Sequence, residues 1–212
     1  IRKNYMAEDL KGLSARSAEA YATSQVPAIG GALTTTPITR PLWTYPLLSS
    51  GLGRNIWAGT TSDGTAEIYL GSGIGFDENR YWVALSRNEE TGSYDAFFSS
   101  QDFAAGIKEL LVGDVTGDAE MEIVVLIGNG EVHVYDQLSK QWLKSYATIS
   151  APNAMRLHDL YGDSKKEVVV CSASSTAVIA DNGFNVWSVP AGGDDLTINQ
   201  MDGDPGPEIA LS

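Results

Sequence analysis

Residues 114–136 read DVTGDAEMEIVVLIGNGEVHVYD, an acidic turn followed by two apolar runs. Two runs rich in β-branched residues, EIVVLI and EVHVYD, flank Gly128-Asn129-Gly130. Those three residues tolerate the positive φ of a tight hairpin, so the stretch predicts two antiparallel strands. Ahead of the first run, the side-chain oxygens of Asp114, Thr116, Asp118 and Glu122 fall at relative positions 1, 3, 5 and 9 of a Gly-containing turn. Outward from here, IKELLVGD, KEVVVCSAS and TAVIADNG are further short apolar runs bounded by turn residues. No usable helical pattern follows residue 46, so residues 47–212 read as all-β.

The acidic turn recurs. Glu67, Glu122, Glu167 and Glu208 stand at intervals of 55, 45 and 41 residues, each followed by Ile or Val. Four residues before each lies Asp63, Asp118, Asp163 or Asp204, preceded by Ser62, Gly117, Gly162 or Gly203. Eight residues before the Glu stand Gly59, Asp114, Asp159 and Gln200. Trp142 and Trp187 both lie 20 residues beyond their Glu, and Asp136 and Asp181 both 14 beyond. A repeat of this length with several short strands per unit predicts a β-propeller-like array of four-stranded blades, about four repeats with the last one incomplete. A blade needs neighbours on both faces, so Trp142 and Trp187 are expected to pack between blades. The longer first interval predicts exposed insertions at 71–80 and 87–93.

Alternate oxygen side chains in a tight loop suit calcium, which takes six to eight hard oxygen ligands. The loops resemble the D-x-[DN]-G-D-G-x-x-[DE] calcium loops of FG-GAP/VCBS repeats, found in integrin-α-like propellers and in secreted bacterial proteins. The resemblance covers about residues 55–212. It implies Ca2+ held by Asp114, Thr116, Asp118 and Glu122, by Asp159, Asp163 and Glu167, and by Asp202, Asp204 and Glu208. Thr116 stands where the family prefers Asp or Asn, Ala119 where it prefers Gly, and Tyr161 is a poor ligand. Occupancy is therefore expected first in the second loop, then the fourth, then the third, with the first empty. The opposing reading is that these carboxylates cap the turns by accepting backbone N–H bonds, without a metal.

Residues 1–46 differ. Met6, Leu10, Leu13 and Tyr21 fall on one face of a helix over about residues 4–22. Pro27, Pro37, Pro41 and Pro46 then favour an extended linker or strap. The chain opens on Ile1 with no charged-then-apolar leader, which reads as a processed or excised piece. Only four residues follow Glu208, so strands from residues 42–58, from elsewhere in a longer chain or from another copy are expected to finish the last blade. The favoured expectation is that residues 1–46 contact another copy or segment.

With 27 acidic against 14 basic residues, the net charge of −13 argues against nucleic acid and anionic membranes as partners. No apolar run approaches the ~20 residues of a membrane span. Cys171, the only cysteine, sits in the apolar run VVVC and reads as a small buried hydrophobe. Catalytic motifs such as G-x-S-x-G, H-E-x-x-H or a phosphate-binding Gly loop are absent, and neither His133 nor His158 has a catalytic partner. Two functions stand. The favoured one is a non-catalytic, extracellular or cell-surface calcium-binding module for adhesion, assembly or filament structure, its partners other copies of itself or another extracellular protein. The other is a carbohydrate-binding or carbohydrate-active propeller, with glycans held along Trp43, Trp57, Tyr81 and Trp82.

Overall fold

The computed structural model describes residues 56–71, 80–180, 185–201 and 206–212, all within the unit Leu47–Ser212. The helix over 4–22, the strap over 26–46, most of the expected insertion at 71–80, and Asp202 and Asp204 lie outside the described residues. What is described is all-β: three four-stranded antiparallel sheets and one two-stranded sheet, each a meander in chain order.

The first blade runs β1 (Ile56–Thr60), β2 (Ala66–Gly71), β3 (Trp82–Arg87) and β4 (Tyr94–Ser99). The second holds β5 (Ile107–Gly113), β6 (Glu122–Ile127), β7 (Glu131–Asp136) and β8 (Trp142–Ala147). The third holds β9 (Pro152–His158), β10 (Glu167–Ser172), β11 (Thr176–Ile179) and β12 (Asn185–Val189). The fourth sheet holds β13 (Leu196–Asn199) and β14 (Glu208–Leu211). First strands lie beside first strands, β1 by β5, β5 by β9 and β9 by β13, as in blades set around an axis. Each repeat Glu opens or nearly opens the second strand of its sheet, so the sequence repeat is the blade.

The unbroken apolar runs now have a cause. A central blade is covered on both faces, so its second strand carries no polar alternation. On β6, Ile123, Val125 and Ile127 face the first blade and cluster with its Tyr69 and Trp82, with Phe103 of the connection between the blades and with Tyr135 of β7. Val124 and Leu126, on the other face, pack with Met155, Val168 and Val170 of the third blade. On β10, Val169 and Cys171 point the other way, toward Leu196, Ile209 and Leu211. The β6–β7 turn is the Gly-Asn-Gly segment expected: Gly130 has φ 91° and its N–H donates to the Ile127 carbonyl at 2.9 Å. A Cβ there would sit 2.3 Å from the Ile149 carbonyl oxygen, so glycine is required on two counts.

Three expectations need correction. Trp142 and Trp187 do not pack between blades; they are 54% and 46% exposed. They stand on fourth strands, the outermost of their sheets, while the buried inter-blade clusters are built mainly from first, second and third strands. Trp82 cannot line a groove, because it is fully buried, and Trp57 stacks on Tyr69 at 4.8 Å. Gly59 is not the first position of a calcium loop. It pairs with Glu67 inside the β1–β2 ladder, and residues 56–58 of the supposed closing segment belong to β1. The 87–93 segment is a turn joining β3 to β4 within the first blade, exposed at Glu89 to Gly92.

Candidate functional site

The four acidic segments are the hairpins between first and second strands. The second, third and fourth span eight residues each (114–121, 159–166 and 200–207), whereas the first spans five (61–65). In the second loop, Asp114 Oδ1 accepts the N–H of Gly117 at 2.6 Å and Oδ2 that of Ala119 at 2.9 Å. Glu122 Oε2 accepts the N–H groups of Val115 and Thr116, at 2.8 and 3.2 Å, while the Thr116 hydroxyl donates to Oε1 at 3.3 Å. Asp118 accepts the Glu120 N–H at 3.0 Å. The third loop repeats this: Asp159 accepts Gly162, Asp163 and Ser164, Asp163 accepts Lys165, and Glu167 accepts Leu160. In the fourth, Met201 donates to Glu208.

These carboxylates therefore do cap their turns, and capping leaves lone pairs to spare. Asp114, Asp118 and Glu122 offer oxygens that all lie within 4.8 Å of one another, and among the described residues no other three acidic, His or Cys side chains do so. Asp159, Asp163 and Glu167 are held in a matching loop without that convergence. Burial is the main cause holding the Glu122 carboxyl above the usual carboxylate range, with repulsion from Asp118 and Asp114 added. At Asp159 desolvation pushes the other way from the result: the N–H bonds of Ser164, Gly162 and Asp163 outweigh it and hold the carboxyl below its usual range.

The residue after the motif Asp is in the left-handed region in all three described loops: Gly64 at φ 88°, Ala119 at 69° and Ser164 at 74°. This is the physical reason a glycine suits that position. In the first loop Asp63 keeps its turn, accepting the Thr65 N–H at 3.0 Å and the Thr61 hydroxyl at 2.5 Å. Glu67 does not cap it. Sequence reasoning passed over Lys140, whose ammonium lies 2.7 Å from Glu67 across the blade boundary. It also passed over Arg156, which joins Glu109 at 2.6 Å and Asp195 at 2.8 Å and so ties three successive blades. Nothing in a single-residue pattern signals either.

No protein-family model matches the chain, and no curated protein sequence does. Solved structures match in fold. One is the crystal structure of BBS1N in complex with ARL6DN, soaked with lead, with a TM-score of 0.58, 10% identity, and coverage of 76% of this chain and 50% of that one. The same complex soaked with mercury gives 0.51, 15%, 68% and 42%. Sqt1 of Saccharomyces cerevisiae gives 0.50, 11%, 70% and 38%. These neighbours are β-propeller-like folds, and at such identities the likeness concerns the fold alone. The chain spans half or less of the length of each. Fold and repeat together define the class: this is a β-propeller-like array of four-stranded blades.

Proposed function

We propose that the chain is a non-catalytic, calcium-binding propeller module that works by binding proteins, in adhesion, assembly or a surface or filament structure outside the cell. The observation that carries it is the convergence of Asp114, Asp118 and Glu122. With Thr116, these residues offer hard oxygens on one side of a turn whose N–H groups hold them in place. Glu122 is the member that gains most from a cation, since burial and two neighbouring carboxylates oppose its charge. Calcium would contribute a rigid crosslink of the loop; water completes its shell of six to eight oxygens. The third and fourth loops are weaker sites in this reading, and the first is none, because its Glu67 is engaged elsewhere.

Protein partnering has support from the propeller of BBS1N, which is solved in complex with a protein, ARL6DN. Among the described residues no helix is long and apolar enough to cross a membrane. The extracellular or cell-surface location rests on the likeness to FG-GAP/VCBS repeats. A second reading, glycan binding, has a different basis from the one the sequence suggested: the exposed rings of Trp142 and Trp187 offer faces for sugar stacking. Calcium titration of the chain and of Asp118→Asn tests the first reading, and a glycan array the second.

A further inference from the structure

The shortened first loop frees a carboxylate, and the next blade captures it. In the other loops the motif Glu turns back to an N–H seven residues earlier, as Glu122, Glu167 and Glu208 do. Glu67 instead accepts the phenol O–H of Tyr69 at 2.5 Å and meets the Lys140 ammonium at 2.7 Å. Lys140 belongs to the β7–β8 turn of the second blade. Its side chain is 3% exposed and that of Glu67 8%. The ammonium also donates to the Gln137 carbonyl and sits 5.2 Å over the Tyr69 ring and 5.6 Å over the Phe97 ring. Three donors thus meet two oxygens and two aromatic faces, and a charge that burial would otherwise expel is satisfied.

The backbone supplies an independent observation. Lys140 has φ 60°, in the left-handed region. The corresponding β3–β4 turn of the first blade places Gly92 there, at φ 70°. A residue with a Cβ is strained in that conformation, and such strain persists only where surrounding contacts hold it. Bonds within its own turn close it, Lys140 N–H to the Asp136 carbonyl at 3.0 Å among them, and from that conformation the side chain reaches Glu67 on the other blade. We propose that Lys140 and Glu67 form a latch that docks the first blade on the second, so that breaking it lets the first blade open as a unit while the second and third stay paired. A buried pair of this kind is better suited to setting which faces meet than to adding net stability.

The discriminating variant is Lys140→Gly in the full chain, followed by thermal unfolding and hydrogen exchange resolved by blade. Glycine relieves the strained backbone, so a side chain with no role predicts a higher Tm. The latch predicts a lower Tm, with exchange in β2 and β3 at least about tenfold faster and β10 and β11 unchanged. Glu67→Gln should reproduce that pattern, and the double variant should add little to either single one. If Lys140→Gly does not fold, Lys140→Met, which keeps the backbone strain and the stem on Tyr69 but removes the ammonium, should show the same blade-resolved exchange, faster in β2 and β3 alone. A raised Tm, equal acceleration in all blades, or additive effects of the two substitutions would overturn the latch.

Discussion

The backbone N–H of Lys166 donates to the carbonyl of Asp114 at 2.8 Å, so the third blade's acidic loop is tied to the first residue of the second's. The stem of Lys165 lies over the same loop: a Cβ on Gly117 would come 3.2 Å from its Cδ. The candidate ion site is therefore part of a blade junction, and what orders the loop should also order the junction.

Within that loop two substitutions should act with opposite signs. Ala119→Gly relieves a left-handed residue without removing a bond and should stabilise by about 0.5–1 kcal/mol. Gly117→Ala places a Cβ at φ 83° and against Lys165, and should destabilise by about 1–2 kcal/mol. Urea unfolding of both variants checks this; equal signs would mean the loop is not held as described.

Arg156 should matter more than its partial exposure suggests. Glu109 is nearly fully buried, and it accepts the Met155 N–H at 2.6 Å as well as Arg156. Arg156→Ala leaves that carboxylate with its cation removed and cuts the link to Asp195. A loss of about 2–3 kcal/mol is expected, read as a lower urea midpoint at unchanged slope.

Cys171 is fully buried in β10, and burial pushes its thiol up from the ordinary range. The thiolate is the reactive form. At neutral pH the native chain should therefore react with a disulfide reagent only as fast as it opens, and urea should release one full equivalent. Rapid native labelling would contradict the packing of the third blade against the fourth sheet.

The turn from Asn88 to Ser93 carries two exposed glutamates, Glu89 and Glu90; the Asn88 side chain accepts the N–H groups of Glu90 and Thr91, and Asn88–Ser93 and Gly92–Asn88 backbone bonds close it. A Glu-specific protease should cut there before it cuts between Ile107 and Val189. Inside that span the exposed Glu120 lies in a loop whose N–H groups Asp114 and Asp118 hold, and Glu122 and Glu167 are buried strand-openers. Early cleavage at either would count against the blade assignment.

Much of this was legible in the sequence because the repeat is a backbone device. In the second and third loops the motif Asp and Glu both bond to N–H groups of their own loop, so their spacing is the spacing of the turn. The continuous run EIVVLI announced a strand covered on both faces. What stayed hidden depends on where strands lie in the blade or on contacts between blades. Trp142 and Trp187 shared an offset, yet the offset does not say that the fourth strand is outermost. Gly59 was aligned by counting back from Glu67, which cannot show that the first loop is three residues shorter. Lys140 and Arg156 meet partners 73 and 47 positions away, and no local pattern carries such a pairing.

Whether Asp114, Asp118 and Glu122 hold a calcium ion can be read by calorimetric titration of the chelator-stripped chain. The expected result is saturable calcium binding that Asp118→Asn weakens at least about tenfold, and a melting temperature several degrees higher with saturating calcium than with chelator. At an ion concentration a hundred times Kd the stabilisation is about 2.7 kcal/mol. No binding heat, identical melts with and without chelator, and no metal by elemental analysis would contradict it, and would leave the three carboxylates as caps of their turn.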